Sequence, residues 1–108
     1  MACNRWITVT TDNVVTVHTT PMAYDDINKA VGGWIESVPT TGHVTIYCNE
    51  EGKLKGLPHN LIASAFVHRF LDDVIVGNVV FCGPPDEEGD ETDVPWDVEA
   101  MLTAFVVS

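Results

Sequence analysis

The chain has 108 residues, 45% of them hydrophobic, which is enough for one domain whose core needs neither a metal ion nor disulfides. Sixteen acidic residues against five basic ones give a formal net charge of -11, and this charge disfavours direct binding to a nucleic-acid backbone. The same charge is compatible with simple solubility, with a basic partner surface, or with a high-salt cytoplasm.

The three cysteines, Cys3, Cys48 and Cys82, are odd in number and lack the spacing of a metal clamp. We therefore expect buried free thiols in a reducing cytosol, and neither a metal nor another cofactor. The N-terminal residues lack the apolar stretch of a signal peptide, and no run approaches the ~20 apolar residues of a membrane span. These features predict a soluble cytoplasmic protein without membrane contact.

The first half of the chain predicts two β-hairpins with a helix between them. Residues 6–10 and 14–19 are rich in β-branched side chains and flank a short polar connector. Thr20 and Pro21 then indicate the start of a helix that runs to about Val31 and stops at two glycines. A second hairpin is predicted from two strand-like runs around a Pro-Thr-Thr-Gly turn, at residues 34–38 and 43–48.

The second half predicts a helix at residues 61–70, capped by Asn60 or His59, and an apolar strand at residues 74–83. Gly77-Asn78 inside that strand indicates a bulge, a bend or a tight turn. An acidic loop follows at residues 84–94 and is expected to be solvated and flexible. Residues 95–105 have the pattern of a terminal helix that docks an apolar stripe, including Trp96, on the sheet.

These elements predict an α+β fold. We expect a small mixed or mainly antiparallel sheet of about five strands with two or three helices, which form a single layer on the sheet. Residues 1–108 are predicted to form one domain that contains the acidic loop.

The most distinctive stretch is residues 49–60, NEEGKLKGLPHN, which we call the connector. Its glycines, proline and asparagines are typical of tight turns, and Lys53-Leu54-Lys55 is compatible with a short edge strand protected by lysines. Polar and aromatic side chains in and beside the connector are candidates for binding a partner: Tyr47, Asn49, Lys53, Lys55, His59 and Asn60.

Three motifs, VGGWIE at 31–36, the connector at 49–60 and DVIVGNVV at 73–80, resemble in that order a small family found in bacteriophages, prophages and actinobacterial plasmids. This family is the domain of unknown function DUF3846, and the resemblance spans about residues 14–80. It implies a small domain of phage or mobile-element origin in the cytoplasm of a bacterial host. It carries over no catalytic residues.

The titratable residues form no nucleophile elbow and no HExxH sequence, and the chain has no glycine-rich phosphate loop. The sequence therefore favours a non-enzymatic role. Our leading hypothesis is a phage or mobile-element accessory protein, monomeric or dimeric through an edge strand, that binds a host protein through the connector. One alternative is a site for a small anionic ligand such as a nucleotide, held by the two connector lysines and the amides of Gly52 or Gly56, with Tyr47 stacking. Another is an acidic DNA mimic or anti-defence protein.

Overall fold

The computed structural model describes residues 3–106, so the predicted N-terminal features at Met1 and Ala2 and the outer ends of the predicted domain lie outside the described residues. Eight elements follow along the chain: β1 (Trp6–Val9), β2 (Val15–His18), α1 (Tyr24–Val31), β3 (Ile35–Ser37), β4 (Thr45–Asn49), α2 (Leu61–Val67), β5 (Val79–Cys82) and α3 (Trp96–Ala104). The strands form one open sheet in the order β2-β1-β5-β4-β3, with every neighbouring pair antiparallel. The predicted α+β fold is confirmed. Within residues 3–106, each helix is far shorter than a lipid bilayer requires.

The sheet is covered by helices on both faces, whereas a single layer was predicted. Side chains alternate along the central strands, so that Val79 and Phe81 of β5 point to one face and Val80 and Cys82 to the other. The first face packs against α2 and α3, and the second against Ile27 and Val31 of α1. Because β5 is buried along its whole length, both faces need an apolar cover.

Helix α1 begins later than the sequence predicts. The start at Thr20 and Pro21 is wrong, since the helix opens at Tyr24. The carboxylate of Asp26 accepts the backbone amide of Ala23 at 2.8 Å and so satisfies one of the donors left open in the first turn. The predicted stop is confirmed, because the residue after the helix is a glycine in the left-handed conformation.

The long apolar run before the acidic loop is not one strand. Gly77 adopts a φ of 78° and bends the chain, so that only Val79–Cys82 joins the sheet as β5. The segment before the bend makes an isolated bridge from Val76 to His59. The bend predicted at this glycine is therefore observed.

The acidic loop is closed by hydrogen bonds. The amide of Gly83 donates to the carbonyl of Thr92 at 2.8 Å, and Asp93 accepts the amide of Arg5 at 3.1 Å. Val94, predicted to be the last loop residue, is fully buried in the core. Trp96 does not dock on the sheet: it is 72% exposed, and the guanidinium of Arg5 lies 3.6 Å from its ring centre.

Candidate functional site

The connector folds into successive turns that its own backbone closes. The amide of Lys55 donates to the carbonyl of Glu51 at 2.9 Å, and the amide of Gly56 donates to Lys53 at 3.1 Å. A φ of 66° at Gly56 reverses the chain. Residues 53–55 lie in turns and form no strand, so the predicted edge strand is wrong. The lysines gave the segment the composition of an edge strand, but the glycines on both sides of it allow the tight turns that are observed.

Asn49 fixes the first end of the connector. It is 5% exposed, and its Nδ2 donates to the carbonyl of Val31 at 3.1 Å while its Oδ1 accepts the amide of Glu51 at 2.8 Å. A Cβ at Gly33 would lie 2.9 Å from this Nδ2, so the glycine allows the close approach. The predicted binding residue Asn49 therefore joins the connector to the end of α1.

Asn60 fixes the other end. It is fully buried, and its Oδ1 accepts the amide of Ala63 at 3.0 Å, which confirms it as the N-cap of α2. Its Nδ2 donates to the carbonyls of Val9 and Gly77, each at 2.9 Å. One side chain thus ties together α2, β1 and the bend before β5. The neighbouring His59, also predicted to bind, is exposed.

Both connector lysines are exposed and differ in their ion pairs. Lys53 donates to Asp73 at 2.7 Å, and this hydrogen bond lowers the pKa of the Asp73 carboxyl below its usual value. Lys55 lies 4.0 Å from Glu51, which is the limit of an ion pair. Because these pairs face solvent, they hold the lysines only weakly.

Tyr47 lies on the face of the sheet that α1 covers. Its hydroxyl is 3.5 Å from Glu91 of the acidic loop. Burial, together with nearby Cys82 and Glu91, raises the pKa of Tyr47 to about 12, so the phenol stays protonated near neutral pH. Its half-buried ring packs against the cluster formed with α1.

Two exposed apolar residues were missed as site candidates. Leu54 is 89% exposed between the two connector lysines, and Trp34 is 68% exposed immediately before β3. The carbonyl of Trp34 accepts the amide of Glu50 at 2.8 Å, so its backbone borders the connector. A leucine between two lysines within a turn was a visible signal, because turns seldom bury their central side chain.

Of the predicted binding residues, Lys53, Lys55 and Tyr47 each line a different cleft, and Asn49 lines the two that contain a lysine. Lys53 lines a cleft of about 150 Å³ with Asp73. Lys55 lines one of about 260 Å³ with Lys29. Tyr47 lines a third, of about 270 Å³. The structure therefore does not bring the tyrosine together with the two lysines.

The backbone amides of Gly52 and Gly56 are also engaged. They donate to the carbonyls of Asn49 and Lys53, each at 3.1 Å, and a ligand would have to displace these bonds. No group of three His, Cys, Asp or Glu side chains within residues 3–106 is placed to hold a metal ion. The two lysines and the leucine between them, Lys53-Leu54-Lys55, are all exposed, and we call them the apex of the connector.

Comparison with protein families supports the resemblance seen in the three motifs. The profile of one family, described as a domain of unknown function, matches residues 5–105 and so includes the acidic loop and α3. No curated protein and no solved structure matches the chain. The chain belongs to the family DUF3846, a domain of unknown function.

Proposed function

We propose that this chain is a non-enzymatic accessory protein of a bacteriophage or another mobile element, and that it binds a protein of the bacterial host through the apex of the connector. The observation that supports this proposal is Leu54, which is 89% exposed at the centre of the apex. Burying a leucine side chain against a partner contributes about 2 kcal/mol. Within residues 3–106, Leu54 belongs to neither of the two apolar clusters of the core.

The connector presents this leucine on a fixed support. Its ends are held by the buried side chains of Asn49 and Asn60, and its turns are closed by backbone hydrogen bonds. A loop that is already ordered loses little conformational entropy on binding. Binding residues are commonly carried on loops that a rigid scaffold positions.

The surroundings of Leu54 suit a protein partner. Trp34, beside the start of the connector, supplies a second large exposed side chain, and tryptophan is enriched among residues that dominate binding energy. Lys53 and Lys55 flank the leucine and would contact the rim, where charges mainly affect the association rate. The net charge of -11 favours a partner whose surface beyond the rim is basic.

The test is capture of a host protein by the tagged full chain and by two variants. Leu54→Ser removes the apex side chain, and Tyr24→Ser removes another exposed large side chain, at the start of α1. We expect wild type and Tyr24→Ser to capture one stoichiometric host protein that Leu54→Ser fails to retain. With the purified partner, calorimetry should show binding to Leu54→Ser weakened by about 30-fold, which corresponds to about 2 kcal/mol. Equal affinities of Leu54→Ser and wild type would refute the assignment to the apex.

A further inference from the structure

A second surface borders the Lys53 cleft, with which it shares Asn49. It is the cleft of about 260 Å³ between the end of α1, the connector and the bend before β5, and we call it the lysine cleft. Its polar lining includes Lys29, Lys55, Thr11 and Asn78, and Leu57 and Pro58 form part of its apolar wall.

The lysine cleft has the opposite charge to the rest of the molecule. It contains two of the five basic residues of the chain, and none of the described residues that line it carries a carboxylate, although the chain has sixteen. The neighbouring cleft of about 150 Å³ instead contains Glu36, Glu50 and Asp73 around one lysine. The two ammonium groups form a local positive field, which Glu51, 4.0 Å from Lys55, and the negative C-terminal end of the α1 dipole weaken.

These two lysines are also the least engaged cations. Among residues 3–106, Lys29 makes no ion pair, and Lys55 reaches only Glu51, at 4.0 Å. The other cations have fold contacts: Arg5 pairs with Glu99 at 2.6 Å, Lys53 pairs with Asp73 at 2.7 Å, and Arg69 lies against Phe66. Lys29 and Lys55 therefore remain open to a ligand.

The acidic loop is too far away to cancel this field. The loop follows the C-terminal end of β5, whereas Asn78 lies just before its N-terminal end. An extended chain from Asn78 to Gly83 spans roughly 17 Å. This exceeds the Debye length of about 10 Å at 0.1 M salt, so the carboxylates of the loop are screened at the cleft.

The backbone around the cleft is shaped by residues of all three motifs of the family resemblance. Gly32 of the first motif and Gly77 of the third adopt φ values of 79° and 78°, and the connector lies between them. A Cβ at Gly77 would lie 2.9 Å from Leu57. Asn78 accepts the amide of Thr11 with its Oδ1 at 3.0 Å, which leaves its NH₂ group to donate elsewhere.

We propose that the lysine cleft binds a phosphate dianion, either free or carried as a monoester on a small organic group. The ammonium groups of Lys29 and Lys55 neutralise the two charges that a phosphate monoester carries near neutral pH. Leu57 and Pro58 accommodate the organic group. A volume of about 260 Å³ lies just below the roughly 300–1,000 Å³ of typical small-molecule sites, so the cleft suits a phosphate whose organic group stays partly in solvent. This site shares Lys55 with the apex proposed above, but it rests on the cleft that Lys55 forms with Lys29 and does not depend on a partner binding Leu54.

The test is a titration of the ¹⁵N-labelled full chain at an ionic strength of about 0.1 M, where the acidic loop is screened from the cleft, followed by amide chemical shifts. Inorganic phosphate and adenosine monophosphate are the probes, and sodium chloride at matched ionic strength is the control. We expect saturable shifts at the amides of Gly32, Gly77 and Asn78 with at least one probe. Tighter binding of the nucleotide identifies a monoester site, and equal binding identifies a site for phosphate itself. Absence of saturable shifts with both probes overturns the proposal.

Variants test whether the ligand that causes the chemical-shift changes is bound by the two lysines. The double variant Lys29→Gln, Lys55→Gln should weaken binding at least tenfold, whereas Arg69→Gln, which removes a cation outside the cleft, should leave it unchanged. Glu51→Gln should bind at least as tightly as wild type, because the carboxylate that competes for Lys55 is gone. Unchanged affinity in the double variant, or weaker binding by Glu51→Gln, would contradict the role of the lysines.

Discussion

The fully buried side chain of Asn60 connects the candidate site to the core. Its side chain makes three hydrogen bonds, to the amide of Ala63 and to the carbonyls of Val9 and Gly77. Inside a protein each such group must find a partner, since an unpaired buried polar group costs about 1–3 kcal/mol. The exposed connector is therefore held in place by a residue that a partner cannot reach.

Replacement of Asn60 by alanine should accordingly destabilise the folded protein. The change removes the cap of α2 and leaves two carbonyls without a donor, and we expect the free energy of unfolding to fall by about 3 kcal/mol. Urea unfolding followed by circular dichroism measures this loss. His59→Ala is the matched control, and its exposed side chain should change stability by no more than about 0.5 kcal/mol. Equal midpoints for the two variants would show that the buried bonds contribute little.

At the scale of elements, the bend before β5 and the connector together form part of the lining of the lysine cleft. The long apolar run of the sequence is divided at Gly77, where the amide donates to the carbonyl of Pro58 at 2.8 Å. Only the part beyond the bend enters the sheet. The part before it turns toward His59 and lies along the connector.

Alanine at Gly77 tests this arrangement against a second glycine of the same conformation. Gly77 and Gly89 have φ values of 78° and 84°, so either substitution costs roughly 1–2 kcal/mol in backbone strain. A Cβ at Gly77 would also meet Leu57 at 2.9 Å, whereas one at Gly89 meets nothing within 4 Å. Thermal unfolding should therefore show Gly77→Ala to be clearly less stable than Gly89→Ala. Equal melting temperatures would mean that the connector yields to the added methyl group.

The strands of the sheet could be predicted from the sequence because the patterns that indicate them lie within short stretches of the chain. Alternating β-branched residues around short turns predicted both hairpins, and an uninterrupted apolar run predicted the central strand. The start of α1 was misplaced because Thr20 and Pro21 have the composition of a helix start, yet the carbonyl of Thr20 accepts the indole of Trp6 at 2.9 Å. That contact joins residues of different segments, and local propensity does not report it.

The candidate site was only partly predictable for the same reason. Composition located the connector, but the roles of Asn49 and Asn60 depend on carbonyls far away in sequence, such as that of Val9. Lys29 belongs to α1 and was not among the predicted binding residues, since its place beside Lys55 results from the packing of α1 against the sheet. Pairings of this kind require the tertiary fold.

At the scale of the whole molecule, groups of opposite charge lie near the two ends of β5. The acidic loop follows one end of this strand, and the lysine cleft lies beside the other. Glu87 and Glu88 are exposed in the acidic loop, close in sequence to other carboxylates. These negative charges repel one another. The folded state therefore carries a repulsive energy that dissolved ions reduce.

Added salt should consequently stabilise the protein. Raising sodium chloride from 0.01 M to 1 M shortens the Debye length from about 30 Å to about 3 Å, which screens nearly all repulsion between surface charges. For a net charge of -11 we expect a gain of about 1 kcal/mol, seen as a rise of roughly 4–8 °C in melting temperature by calorimetry. The double variant Glu87→Gln, Glu88→Gln should melt higher than wild type in low salt and gain less from added salt. A melting temperature that falls with salt would instead mean that the few ion pairs, such as Arg5 with Glu99, contribute more to stability than the excess of carboxylates removes.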